Sequence, residues 1–276
     1  MEAGIPSTEP LSEPSRVKLW PLVQGAMWLV GLRAALLVLA GFLGNSPLAE
    51  VVLGALLVDV AAGRAGVLWT TREIGKLALR RVCAIAGGTT GVPIVLTLIL
   101  AAALGHVSLA TGSPSVMLIA SVVGAITQAL RDELLLRAVP LHFLRAANVP
   151  ERAAIVFVTL ISPTAFLHTG PSAAAIVFSL SSGALFSVIY VRMAGAWAAI
   201  TAHAVLLVLT GPLLRGGVLE AAFHHGELAD GALAAGAPAF IASAMFLLAA
   251  GWVWKRRAPA SDEPPTEQAV SPEPAP

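Results

Sequence analysis

Eight stretches of mainly apolar residues follow one another along the chain, near 20–43, 48–68, 83–105, 115–139, 152–169, 172–191, 195–214 and 237–254. Each is close to the roughly 20 residues that a helix needs to cross a hydrocarbon core of about 30 Å. Breaks such as "GNSP", "GHVSLATGSP" and "HTGPS" separate most of them, because Gly and Pro punctuate helices and supply turns. Within lipid a span must satisfy its own backbone hydrogen bonds, so repeated segments of this length are helical. With 12% charged residues, 57% hydrophobic residues and a mean hydropathy of +0.83, the chain cannot coat a soluble domain with charge. The expected fold is all-α, a polytopic transmembrane helical bundle of about eight spans.

Basic residues orient such a bundle, since they are retained on the cytoplasmic side. With the N-terminus inside, Arg16, Lys18, Arg72, Lys76, Arg80, Arg81, Arg145, Arg152, Arg192, Lys255, Arg256 and Arg257 all fall inside, and only Arg215 falls outside. This predicts an N-in, C-in chain, although the short connections between the fifth, sixth and seventh stretches also fit re-entrant segments. No internal repeat is visible, so an inverted-repeat transporter is not suggested. Residues 1–17 carry Glu2 and Glu9 but no basic n-region of a signal peptide, and residues 258–276 are Pro-rich and acidic; both read as disordered tails. Residues 18–114 hold the first three spans, and 215–257 an outer loop and the last span. A net charge of +1 gives no argument for nucleic acid as a partner. The single Cys83 rules out an internal disulfide, a CxxC pair and a thiolate metal cage.

Against this apolar background stands "RDELLLRAVPLHFLR", residues 131–145. In a helix starting at Ser115, residue 133 lies about 27 Å along the axis, still inside the core. A charge at a span's centre costs about 2.5–3.5 kcal/mol, less toward its ends, so these side chains need partners. Glu133 and Arg137 are spaced to pair along one helix face, whereas Asp132 points about 100° away and needs another partner. Arg131 and Arg137 alone also fit arginines that snorkel to the headgroups; an adjacent acidic pair does so poorly. His168 ends the fifth stretch in "ISPTAFLHTG" and His203 lies within the seventh in "AWAAITAHAVLL". One intramembrane histidine is ordinarily a packing residue. Two beside a carboxylate pair are the minimum set for activating water, the carboxylate taking the proton and a histidine orienting the water or stabilising the oxyanion.

Other chemistries fit less well. "SLSSG" at 179–183 resembles the nucleophile segment of rhomboid-type serine proteases, but Leu180 stands at the glycine position, so Ser179, Ser181 and Ser182 read as small packing residues. Arg33, Asp59 and Arg64 with the histidines would suit a transporter's proton relay; Arg33 and Asp59 read better as a structural ion pair between the first two spans. No cofactor is required. A divalent metal such as zinc, if bound, would take His168, His203 and Glu133, yet there is no HExxH. His224 and His225, beside Glu220, Glu227 and Asp230, read as a solvated loop.

Three motifs together resemble a family. "DELLLR" is similar to the EExxxR motif, His168 to the end of FxxxH, and "YVRMAGAWAAITAHAVLL" to the segment leading to the third-motif histidine of the CPBP (CAAX protease and bacteriocin-processing) intramembrane proteases. The resemblance covers about residues 115–212 and implies a four-helix catalytic core over 115–214. It implies that Asp132 is the general base, that Glu133 and Arg137 complete the first motif, and that His168 and His203 serve water and oxyanion. The implied partners are a membrane-anchored protein or peptide substrate and the lipid bilayer, with the protein in the cell (inner) membrane of a bacterium. The chain departs from the pattern at Asp132, one methylene shorter than Glu, at Thr164 in the Phe position, and at Leu207 where Asn or Asp is usual. Such departures also fit a catalytically impaired relative that binds or protects a membrane partner, as immunity-type proteins do.

Overall fold

A computed structural model describes residues 16–256 apart from 45, 71–74, 165–171, 194, 216–217 and 224–235. The helices are α1 (Leu19–Leu43), α2 (Pro47–Arg64), α3 (Lys76–Ala103), α4 (Val116–Glu133), α5 (Val139–Ala146), α6 (Glu151–Ile161), α7 (Ala173–Arg192), α8 (Ala196–Val208) and α9 (Gly236–Lys255). Strands β1 (Val107–Thr111) and β2 (Leu219–Phe223) complete them. π-Helical turns at Leu134–Ala138 and Leu209–Leu213 make α4 and α5 one continuous rod and lengthen α8. Each lies at a proline, Pro140 just beyond the first and Pro212 inside the second. Proline removes a helical donor and crowds the preceding turn, and a π turn is one way a helix absorbs that interruption.

This is an all-α membrane fold. Among the described residues, five helical segments are long and apolar enough to cross a bilayer: Leu19–Leu43, Ala78–Ala103, Ala173–Arg192, Ala196–Leu213 and Gly236–Lys255. The other three expected spans differ for local reasons. α2 carries Glu50, Asp59 and Arg64, α4 carries Arg131, Asp132 and Glu133, and α6 has only 11 residues, about 16 Å of rise. Residues 107–111, expected as part of a loop, instead pair antiparallel with β2 in the register Val107↔Phe223 to Thr111↔Leu219. That pairing ties the end of α3 to the end of the α8 rod.

The opposite helix ends meet on the other face. The Lys18 amide donates to the Ala147 carbonyl at 2.9 Å, and the Ala196 amide to that of Trp69 at 3.0 Å. The latter contact follows a turn at Gly195, whose φ of +69° suits glycine. The Arg192 guanidinium lies 3.9 Å from the Trp254 ring centroid and that of Arg152 lies 6.0 Å from it. The starts of α1, α6 and α8 and the ends of α2, α5, α7 and α9 are therefore gathered together.

Packing is graded across the bundle. α1 buries only Gly25 and Leu32 and exposes Trp20, Met27, Val30, Leu37 and Phe42, an apolar surface suited to lipid. α7 is central, with Leu185, Phe186 and Ile189 fully buried against α9 and the neighbouring helices. Polar side chains in the helices bond their own backbone: Thr97 donates to the Pro93 carbonyl at 2.7 Å and Ser187 to that of Gly183 at 2.6 Å. Such back-bonding satisfies hydroxyls where no water is at hand.

Candidate active site

α4 buries Ala125, Ala129 and Glu133, four residues apart and therefore on one face. The two alanines let α8 approach, and the next residue on that stripe is a completely buried carboxylate. Glu133 Oε1 accepts from Arg137 Nη1 at 2.9 Å and lies 2.8 Å from His203 Nδ1 on α8. An ionised carboxylate is an acceptor only, so Nδ1 carries the proton when this contact is a hydrogen bond. The His203 side chain is 12% exposed, so the imidazole is reachable while its anchor is not.

Arg137 extends the network to α6. Its Nη2 donates to Ser162 Oγ at 2.9 Å, and that hydroxyl donates to the Val158 carbonyl at 3.0 Å. The Phe186 ring of α7 stacks on the His203 imidazole at 4.9 Å and 22°, and Arg137 Cζ lies 5.7 Å from the same ring centroid. Gly183 permits this approach. A Cβ there would meet Ser162 Cβ at 2.7 Å and Arg137 Nη2 at 3.4 Å. The π turn between Glu133 and Ala138 lies inside this cluster, as π turns at functional sites often do. Arg137 is thus a buried partner of Glu133 and does not snorkel.

Asp132 faces a second cluster. Its Oδ1 accepts from Arg131 Nε at 3.0 Å, and the two side chains are 13% and 18% exposed. Arg131 packs its Cδ against the position a Cβ would take at Gly54 of α2. Arg33 of α1 donates from Nη2 to Thr164 Oγ1 at 3.2 Å. The expected Arg33–Asp59 ion pair is therefore absent: Asp59 Oδ1 instead accepts from Trp69 Nε1 at 3.0 Å. Depth explains the difference. α1 and α2 run in opposite directions, and at 1.5 Å per residue Arg33 lies about 21 Å from the start of α1 while Asp59 lies about 8 Å from the end of α2.

His168, one member of the expected metal set, and the His224–His225 pair lie outside the described residues, while the other two members, Glu133 and His203, are in contact. Among the described residues no group of three or more His, Cys, Asp and Glu is placed to hold a metal ion. Glu133 Oε1 is already taken by two donors, while Oε2 is buried with no protein partner among those residues. The serines of "SLSSG" turn back on their own helix, Ser181 and Ser182 both donating to the Phe178 carbonyl at 2.9 Å, as packing residues do.

Residues 113–209 match the family model for type II CAAX prenyl endopeptidase, Rce1-like. This is the CPBP resemblance carried by the three motifs. The Rce1-like segment contains Asp132, Glu133, Arg137, His168 and His203 and leaves out α1–α3 and α9. Comparison with curated proteins and with solved structures gave no match.

Ser162, Gly183, Phe186 and the Arg33–Thr164 contact were not singled out as site features from the sequence. A serine beside Pro163 in an apolar stretch is a weak signal for Ser162, and Phe186 carries none, since one aromatic in an apolar helix looks like any core residue.

Proposed function

We propose that the chain is an intramembrane endopeptidase that hydrolyses a peptide bond of a membrane-associated protein or peptide. The observation that carries this reading is the buried Glu133–His203 contact, held by Arg137, inside the Rce1-like segment. A fully buried carboxylate engaged by two donors is poorly placed to take a proton from water, but it fixes the tautomer and orientation of an imidazole. Asp132, partly exposed, is the better general base. His203 then presents Nε2 to the developing oxyanion, and His168 orients the water. Water addition gives a tetrahedral intermediate, and the proton held by Asp132 passes to the leaving amine as the C–N bond breaks.

The bundle is read as eight-spanning, N-in and C-in, in the inner membrane of a bacterium. Support comes from the basic residues and from the gathering of alternate helix ends on one face. No resident cofactor is needed for these steps. The second reading, a catalytically impaired relative that binds a membrane partner, is favoured by Leu207, which cannot donate to an oxyanion.

Purified protein in nanodiscs, incubated with a peptide library and read by mass spectrometry, tests the proposal. Cleavage that disappears in both Asp132→Asn and His203→Ala supports it. Absence of cleavage in the wild type overturns it, and loss to a chelator with recovery on zinc would replace it with a metal-dependent hydrolase.

A further inference from the structure

Arg33 lies in none of the three motifs and outside the family-matched segment, yet its guanidinium reaches Thr164 at the end of α6, and one turn along α1 Leu36 converges with Arg131 on Gly54 of α2. At 1.5 Å per residue it is about 21 Å from the start of α1 and about 15 Å from its end, close to mid-span. An ionised side chain at that depth is expensive and is a functional candidate by default. Its hydrogen bond among the described residues is to the neutral Thr164 hydroxyl at 3.2 Å.

Charge balance separates the two clusters. Glu133 and Arg137 compensate each other and Asp132 pairs with Arg131, whereas among the described residues no carboxylate is ion-paired with Arg33. Residues 165–171, "AFLHTGP", contain no Asp or Glu, and Asp59 is engaged by Trp69 at another depth. Among the described residues these side chains thus bring two arginines and one carboxylate, and that carboxylate is paired with Arg131.

We infer that Arg33 is a specificity-determining residue that docks a carboxylate of the substrate beside Thr164; this rests on the proteolytic reading above. The planar guanidinium fork suits a carboxylate. Its mid-span depth favours a peptide carboxylate entering the site over a lipid phosphate held at headgroup level.

The test uses pairs of short N-acetylated apolar peptides that end in either a carboxylate or a carboxamide, or carry Asp or Asn. They are presented to the full-length protein in phosphatidylcholine nanodiscs, and both equilibrium binding and kcat/KM are measured. Charge-assisted hydrogen bonds predict that the wild type prefers the carboxylate member of a pair by roughly tenfold or more. The ratio should collapse toward one in Arg33→Met and be largely kept in Arg33→Lys. Because it is a ratio within one variant, partial loss of folded protein cancels. An unchanged ratio in Arg33→Met, or none in the wild type, overturns the inference. So does a preference that phosphatidylglycerol in the nanodisc abolishes by competition, which would assign Arg33 to lipid. Binding preference without cleavage upholds the docking site and refutes proteolysis; cleavage without preference does the reverse.

Discussion

Glu133 Oε1 and His203 Nδ1 lie 2.8 Å apart although 70 residues separate them in the chain. The contact joins α4 to α8 through a carboxylate that also holds Arg137 at 2.9 Å. Removing one partner of a buried ion pair leaves an uncompensated charge and typically costs about 3–5 kcal/mol. Glu133→Ala should therefore lower the thermal unfolding midpoint sharply in detergent. Glu133→Gln keeps shape and one acceptor, so it should unfold nearer the wild type yet cleave far more slowly.

The second prediction concerns Gly183. An added methyl would press on Ser162 Cβ at 2.7 Å and Arg137 Nη2 at 3.4 Å, and overpacking a tight contact costs about 1–3 kcal/mol. Gly183→Ala should reduce stability and activity together, whereas the same change at Gly31, where nothing lies within 4 Å, should leave activity unchanged. Equal effects at both sites would show that α6 and α7 are not held close for the Arg137 network.

The third separates the two carboxylates. Asp132 is partly exposed and bonded to Arg131, while Glu133 is buried, so Asp132→Asn should abolish turnover and Asp132→Glu should keep or raise it. Activity surviving Asp132→Asn but lost in Glu133→Gln would move the base to Glu133.

The sequence carried the helical rods and the Glu133–Arg137 pair because both follow from local rules, apolar length and four-residue spacing. It did not carry the choice of neighbours. Arg33 was expected to meet Asp59, and the antiparallel run of α1 and α2 sets them at different depths. The β1–β2 pairing was likewise illegible, because residues 107–111 and 219–223 find each other only once α3 and α8 are in place. Phe186 and Gly183 contribute shape and space to the site, and neither quality marks a residue in a one-dimensional pattern.

A fourth prediction tests orientation. A reporter active only outside the cytoplasm should be active when fused after residue 225 and silent after residue 257. The reverse pattern would refute the N-in, C-in chain.

The last prediction turns on Leu207, one helical turn after His203 in α8. Residues four apart share a helix face, so a polar side chain at 207 would donate beside the imidazole to a developing oxyanion. One such donor is worth about 2.7–4 kcal/mol of transition-state stabilisation, or roughly 10²–10³ in rate. The wild type should therefore be slow, Leu207→Asn should accelerate cleavage, and His203→Ala should silence both backgrounds. A relative that merely binds its partner would respond to none of these changes, and its cellular phenotype would survive Asp132→Ala, His168→Ala and His203→Ala combined. A phenotype intact in that triple variant, with the protein shown to be folded, would refute the enzymatic reading.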